Sequence, residues 1–398
     1  MLQGRHVVLG VSGGIACYKA CVLARRLVEA GARVDTIMTA AATEFIRPVT
    51  FEALTGRPVL TSLWEAGGAL SHVRLGQEAD LVVVAPATAN IIARVAQGIA
   101  DDVLSAMLLA RTAPLLLAPA MNDEMFAAPS TQANLQLLMQ RGAQVVGPAV
   151  GVLAEGPSDR PGRMSEPEEI FAVAVRLLSS QGPLAGRHVV VTAGPTREPI
   201  DPVRYVTNPS SGRMGYAVAA AAWRRGARVT LVTGPTTLPV PHGVTVVRIE
   251  TTAELAQALD ALLPATDVLV MAAAPADYAP ADPASTKRPR LDGALTLTLH
   301  PTPDVLLGTQ ARRKAGSLIV GFALETGDAE AKGQRKLERK GMDLCVVNDA
   351  TEAGAGFDVE TNRVTILSRD AEPLVLPLLS KTIVAERILD AIEGRVRG

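Results

Sequence analysis

With 398 residues, 48% of them hydrophobic and 20% charged, the chain exceeds what one core usually supports and carries apolar material for more, so two domains are expected. A formal net charge of -1 at pH 7 argues against nucleic acid or an anionic membrane as partner and favours small molecules. Only three cysteines (Cys17, Cys21, Cys345), no signal-peptide pattern and no apolar run near the roughly 20 residues of a bilayer span argue against a disulfide scaffold or membrane protein and lead to an expected cytoplasmic location.

The first strand, Val7 to Val11, opens with Gly4-Arg5-His6-Val7-Val8, and the same words return at Gly186-Arg187-His188-Val189-Val190. In both halves a helical stretch reaches a second strand through Glu29-Ala30-Gly31-Ala32-Arg33-Val34 and Arg224-Arg225-Gly226-Ala227-Arg228-Val229, where the glycine suits a helix end. Further apolar runs, Leu81 to Ala85, Leu115 to Ala118, Val268 to Ala273, Leu318 to Phe322 and Leu344 to Val347, alternate with helical segments. That is the pattern of parallel sheets covered on both faces. The fold class is therefore α/β, with two Rossmann-like domains over residues 1–180 and 186–398 and a boundary near Ser179-Ser180-Gln181-Gly182-Pro183.

Three segments of the first half end predicted parallel strands, where ligands bind. They are Ser12-Gly13-Gly14-Ile15-Ala16, whose small residues bring backbone amides to a helix start, Met38-Thr39, and Ala85-Pro86-Ala87-Thr88-Ala89-Asn90. A bare strand-to-helix turn would use the residues of the first segment equally well. With Pro119-Ala120-Met121-Asn122 and Ser71-His72-Val73, these segments resemble the flavin-dependent cysteine decarboxylases that include phosphopantothenoylcysteine decarboxylases, over about residues 5 to 178. The resemblance implies FMN bound by Ser12, Gly13, Gly14, Thr39, Thr88 and Asn90, His72 as catalytic base, and Asn122 holding the substrate. It further implies a homo-oligomer with flavin sites at subunit contacts. Outside that context His72 reads as an ordinary surface histidine, and His6 and His188 as strand openers. Cys17, in the first turn of the flavin-side helix, reads as packing, although a helix start can lower a thiol pKa.

One departure concerns the proton donor. Members of the pantothenate type carry a cysteine in a loop before Gly-Arg-Met, whereas this chain reads Ala154-Glu155-Gly156-Pro157-Ser158-Asp159-Arg160-Pro161-Gly162-Arg163-Met164. Glu155 stands in the cysteine's place, with one extra residue before Gly162. A carboxylic acid desolvated by a closing loop can donate a proton; equally, Glu155 reads as a solvated loop charge, with the reductive half-step impaired or served by another donor.

In the second half a long polar insertion, Thr192 to Gly215, separates strand from helix, and such length is usually functional. Ser210 or Ser211 is placed to cap the helix that follows. Lysine is rare, seven against 32 arginines, yet Lys287, Lys314, Lys332, Lys336 and Lys340 fall in one stretch, as a solvated helix face or as compact charges for phosphates. The run TAGPTREPIDPVRYVTNPSSGRMG, followed by AAAPADY, PTPD, VGFALET and KLERKG, resembles the phosphopantothenate-cysteine ligase family over about residues 186 to 395. That resemblance implies CTP bound by Met271, Ala272, Ala273, Asp277, Lys287, Pro303, Asp304, Val305, Leu306, Phe322, Lys336 and Lys340, with Mg2+ on the triphosphate. Asn208 would contact the acyl intermediate and Lys287 the reacting phosphate. Substrates would be 4′-phosphopantothenate and cysteine. The rival expectations are a ligase whose N-terminal domain is only a flavin-binding structural or regulatory module, and an NAD(P)-dependent oxidoreductase, which calls for GxGxxG where the sequence has GVSGG.

Overall fold

Tertiary contacts divide the chain into two units, Met1–Ser179 and Ser180–Gly398. The structure, a computed structural model, describes residues 2–64, 70–290, 294–349 and 359–396.

In the first unit, β1 (His6–Val11) is buried along its whole length, as a central strand covered on both faces requires. It leads to α1 (Cys17–Glu29), whose Cys17, Ala20, Leu23, Ala24 and Leu27 recur at helical spacing and pack into the core. Each fully buried leucine there contributes about 1.5–3 kcal/mol relative to exposure. Gly31 then takes φ 95°, and Gly226 at the equivalent place φ 93°, the left-handed conformation that ends a helix without a Cβ clash. β2 (Arg33–Met38), β3 (Val59–Leu60), α2 (Ser71–Glu78), β4 (Leu81–Ala87), α3 (Ala89–Gln97), β5 (Leu115–Pro119), α4 (Asp123–Ala127) and β6 (Gln144–Val145) follow. The six strands pair in parallel in the order β3-β2-β1-β4-β5-β6, the doubly wound order. An antiparallel hairpin of β7 (Ala149–Leu153) and β8 (Gly156–Arg163) forms a separate ribbon.

The second unit repeats this plan. β9 (His188–Ala193), β10 (Arg197–Pro199), β11 (Tyr205–Thr207), α5 (Arg213–Arg224), β12 (Arg228–Thr233), β13 (Thr245–Arg248) and β14 (Val268–Met271) lead to a ribbon of β15 (Tyr278–Pro280) and β16 (Leu299–Pro301). Then come α6 (Val305–Gly308), β17 (Leu318–Glu325), α7 (Ala329–Arg339), β18 (Leu344–Asp349), β19 (Thr361–Asn362), β20 (Thr365–Ser368), β21 (Leu374–Val375), β22 (Leu379–Ser380) and α8 (Lys381–Val396). The sheet order β13-β12-β9-β14-β17-β18-β20-β21 is that of the first unit, extended by two strands. β20 and β21 pair antiparallel, so the expectation of wholly parallel sheets holds for the first unit and not the second. This edge needs no crossover helix, and its Leu374 and Val375 are exposed.

The repeated sequence words have one structural cause. His6 N donates to Asp80 Oδ2 at 2.7 Å and Asp80 N to the His6 carbonyl at 2.8 Å; His188 N donates to Asp267 Oδ2 at 2.7 Å and Asp267 N to the His188 carbonyl at 2.9 Å. Both histidines are buried, with ring nitrogens against Asp35 (2.7 Å) and Thr230 (2.9 Å).

Candidate active sites

In a doubly wound sheet the chain leaves the first strand in one direction and the fourth in the other, which opens a crevice between their carboxyl ends. In the first unit Ser12 closes the floor of that crevice. Its hydroxyl donates to the Pro86 carbonyl at 2.7 Å and accepts from the Thr88 amide at 3.0 Å, tying the end of β1 to the end of β4. Gly13 is required by packing, because a Cβ there would stand 2.5 Å from the Ala41 Cβ. The next turn enters α1 with no side-chain cap on its N-terminus. Thr39 is committed to its own helix start, accepting from the Ala42 amide at 3.2 Å.

Above this floor lies a cavity of about 740 Å³, within the roughly 300–1,000 Å³ typical of small-molecule sites. Ser12, Gly13, Gly14, Thr39, Thr88, Asn90, Asn122 and Glu155 all line it. Asn122 Oδ1 accepts from the amides of Glu124 (2.9 Å) and Met125 (3.3 Å), which leaves the Nδ2 group as the donor for a ligand. The β7–β8 hairpin forms a wall, docked on α4 by Ser158 Oγ to Asp123 Oδ2 at 2.6 Å and by the Arg160–Glu124 ion pair, and on the segment before it by Met121 N to the Gly162 carbonyl at 3.0 Å. Glu155 sits exposed at the hairpin turn. His72 does not join this group. It is the second residue of α2, half-buried, with Nδ1 buried and unpaired, and it is not among the cavity's lining residues. Burial pushes the Cys17 thiol upward in pKa, and Cys17 Sγ donates to the Ser12 carbonyl at 3.3 Å, so Cys17 packs.

The second unit has a corresponding crevice in its own sheet. Thr192 Oγ1, at the end of β9, accepts from the Ala273 amide at 3.0 Å, just past the end of β14, as Ser12 does from Thr88. The segment from Met271 to Asp277 is then held from several sides. Asn208 Nδ2 donates to the Pro275 carbonyl at 2.9 Å, Thr196 Oγ1 accepts from the Ala276 amide at 2.9 Å, and Thr302 N donates to the Asp277 carbonyl at 2.9 Å. Met271, Val305 and Leu306 share one apolar cluster, with Ala273 packed against it. Asp304 caps α6 and pairs with Lys340 Nζ at 2.9 Å, while Lys336 pairs with Glu325. Burial alone would raise the Asp304 carboxyl, but Lys340 and the Leu307 amide outweigh it and hold the group below its ordinary range. Phe322 lies on β17 and Pro303 precedes α6; Lys287 is exposed in the loop between β15 and β16. Neither Ser210 nor Ser211 caps α5: Gly212 holds the cap position at φ 76°, and Ser210 Oγ accepts only from the Gly212 amide, at 3.4 Å.

The family described as Flavoprotein matches residues 1–179, and the DNA/pantothenate metabolism flavoprotein C-terminal domain matches residues 184–395. The coenzyme A biosynthesis bifunctional protein CoaBC of Bacillus subtilis is 44% identical, over 98% of this chain and 97% of its own. That of Mycobacterium bovis is 48% identical over 98% and 96%, and that of Escherichia coli 43% over 99% and 98%. The chain belongs to the family of bifunctional coenzyme A biosynthesis enzymes. Among solved structures, the C-terminal domain of a CoaBC protein is similar at 38% identity with a TM-score of 0.47, covering 54% of this chain and 98% of that one. An FMN-dependent cysteine decarboxylase is similar at 31% identity and TM-score 0.37, covering 44% and 99%.

Family membership, with both halves matched, supports the two-activity reading over a ligase-only chain, and the first unit is a flavoprotein unit. The cavity's own features fit a flavin, with an uncapped helix start and glycine backbone for a phosphate and a roomy mixed wall for a ring system. Sequence reasoning missed Lys19, which lines the cavity yet is buried, its Nζ donating to the Met164 carbonyl at 2.8 Å and to Glu166 Oε1 at 3.0 Å. Its phase was the available signal, since it precedes the buried Ala20 and Leu23 on α1. Among the described residues no group of three or more His, Cys, Asp or Glu side chains is placed to hold a metal, and no helix is long and apolar enough to cross a membrane.

Proposed function

We propose that the second unit joins cysteine to 4′-phosphopantothenate at the expense of CTP, and that the first unit decarboxylates the product to 4′-phosphopantetheine with FMN. The observation that carries this reading is the convergence of eight sequence-assigned residues, Ser12 to Glu155, on one cavity. Bound FMN supplies a two-electron acceptor that turns the cysteinyl thiol into an electron sink beside the carboxylate, so that carbon dioxide can leave. The Gly13–Gly14 turn and the start of α1 would hold the phosphate of FMN, Ser12, Thr39, Thr88 and Asn90 would complete its site, and Asn122 Nδ2 would donate to the substrate. His72 takes the thiol proton. Because His72 stands off the cavity of its own chain, we assign it to the cavity of a neighbouring copy in a homo-oligomer. The exposed Ile15, Tyr18, Met125 and Val152 around the cavity support such a contact. Glu155, exposed at the hairpin turn of the cavity wall, would supply the proton that completes the product.

In the ligase, Met271 to Ala273, Pro303 to Leu306 and Phe322 form the nucleotide bed, and Asp277, Lys336 and Lys340 contact its polar groups. Mg2+, which prefers phosphate oxygens, would be carried by the triphosphate and offset its charge. Lys287 offsets charge growing at the α-phosphate as the carboxylate displaces pyrophosphate, and Asn208 holds the acyl-cytidylate for the amine of cysteine. All these substrates are small and water-borne, which supports a cytoplasmic location.

The test supplies phosphopantothenate, cysteine and each nucleotide triphosphate in turn, and follows ligation and carbon dioxide release separately. Faster ligation with CTP than with ATP at equal concentration is expected; equal rates would remove the CTP assignment. Co-assembly of His72→Asn and Asn122→Ala chains should restore part of the carbon dioxide release that each alone has lost, and no recovery would confine His72 to its own chain.

A further inference from the structure

The turn between β10 and β11 holds more donors than a turn needs. Asp201 is buried there, and its Oδ1 accepts from the amides of Val203 and Arg204, both at 2.9 Å, which satisfies an ordinary Asx turn. Its Oδ2 faces another part of the chain, accepting from Arg204 Nε at 2.9 Å and from the Arg288 amide at 3.2 Å. Arg204 Nη2 pairs with the same carboxylate and also donates to the Arg288 carbonyl at 2.7 Å. Four residues upstream, the Ala284 amide donates to the Ile200 carbonyl at 2.9 Å. The segment around Lys287 is therefore fixed on both sides of the exposed lysine by residues 200–204, and Arg288 Nη2 adds a local bond to the Asp282 carbonyl at 2.7 Å.

We propose that Asp201 is a positioning residue of the ligase site, which with Arg204 clamps residues 284–288 so that Lys287 is presented to the nucleotide phosphates. This rests on the reading of Lys287 given above. A carboxylate is placed in a buried turn at a desolvation cost, and only several charge-assisted bonds offset it. Here two of the bonds in this cluster reach the backbone of Arg288, the residue next to Lys287: its amide donates to Asp201 Oδ2 and its carbonyl accepts from Arg204 Nη2. The same insertion carries Asn208, whose Nδ2 holds the Pro275 carbonyl, so one stretch of chain sets both the acyl-binding amide and the phosphate-binding lysine. A one-ångström displacement of a reacting group can cost about a hundredfold in rate, so a clamp at this point bears on turnover more than on binding.

The test uses the full chain. Asp201→Asn keeps the turn's acceptor and removes the charge that gathers Arg204 and the Arg288 amide. Its kcat for ligation is expected to fall at least about tenfold, with KM for phosphopantothenate changed less than about threefold. Decarboxylation of supplied phosphopantothenoylcysteine should be unchanged. Combined with Lys287→Gln it should be no slower than Lys287→Gln alone, because the two act as one unit. Multiplying losses in the double variant, or wild-type ligation in Asp201→Asn beside a slow Lys287→Gln, would overturn the clamp. A Lys287→Gln variant that ligates at the wild-type rate would instead overturn the role of Lys287. Should Asp201→Asn fail to fold, Arg204→Lys, which keeps a charge beside Asp201 without the fork that reaches Arg288, must show the same non-additive pattern with Lys287→Gln, and additivity there sinks the proposal.

Discussion

Lys340 Nζ stands 2.9 Å from Asp304 Oδ2, so a side chain at the end of α7 and the cap of α6 are joined before any nucleotide arrives. If the proposed nucleotide site is here, a triphosphate would trade one anion for another on the same ammonium. Lys340→Met should therefore raise the KM for CTP on the order of tenfold, or about 1.4 kcal/mol, and leave kcat within about twofold. Steady-state ligation kinetics decide it: a fallen kcat with unchanged KM would move Lys340 from ground-state binding to the transition state.

The same pair sets a pH dependence. The Asp304 carboxyl is held below its ordinary value in the folded chain, so its ionisation adds stability above about pH 4 that is lost as pH falls through the depressed folded value. Asp304→Asn should be less stable than wild type at pH 7, with the gap narrowing toward pH 3. Urea midpoints across that range are the measurement, and a gap independent of pH would show that Asp304 acts by its shape as a helix cap.

Gly13→Ala tests the floor of the flavin cavity. The added methyl meets Ala41 backbone as well as its side chain, atoms that cannot swing away, so overpacking of about 1–3 kcal/mol is expected. Purified Gly13→Ala protein should carry less than half the flavin absorbance of wild type at matched concentration while ligating normally. Full flavin content would mean that the turn has room to spare.

Glu155→Gln separates the halves of the decarboxylation. It should still release carbon dioxide but accumulate reduced flavin or the oxidised enethiol product, and Glu155→Cys should turn over if the extra loop residue does not misplace the thiol. Normal conversion of the substrate by Glu155→Gln to 4′-phosphopantetheine would assign the proton to water or another loop group.

Strand positions were readable because buried parallel strands are apolar without interruption: Leu81 to Ala85 and Leu115 to Ala118 lie within β4 and β5. Loop motifs were readable as a cluster, since Ser12, Thr39 and Thr88 must all fall at carboxyl ends of neighbouring strands. The β7–β8 hairpin was not, because it is held by polar contacts such as Ser158–Asp123 rather than by an alternating apolar face. Nor was Lys19, whose buried charge depends on a carbonyl and a carboxylate far along the chain, at Met164 and Glu166. The cap of α5 went to Gly212 because Ser210 turned its hydroxyl to the Gly212 amide and the backbone entered the helix from a left-handed residue. His72 was legible as a residue type and not as a location: by itself it reads as a surface histidine before a strand, whereas it lies half-buried on α2 and away from the cavity lining.

The reciprocal bonds between His6 and Asp80, and between His188 and Asp267, fasten the amino ends of corresponding strands in the two units in the same way. In the first unit the cavity lies at the opposite, carboxyl ends of the strands, where Ser12, Thr39 and Thr88 line it. The chain thus uses one joint twice and fits a different tool to each copy. Substitutions at the joint should consequently be felt as lost folding yield in whichever unit carries them, whereas the tool ends are where a descendant of this architecture can change its substrate while inheriting the frame intact.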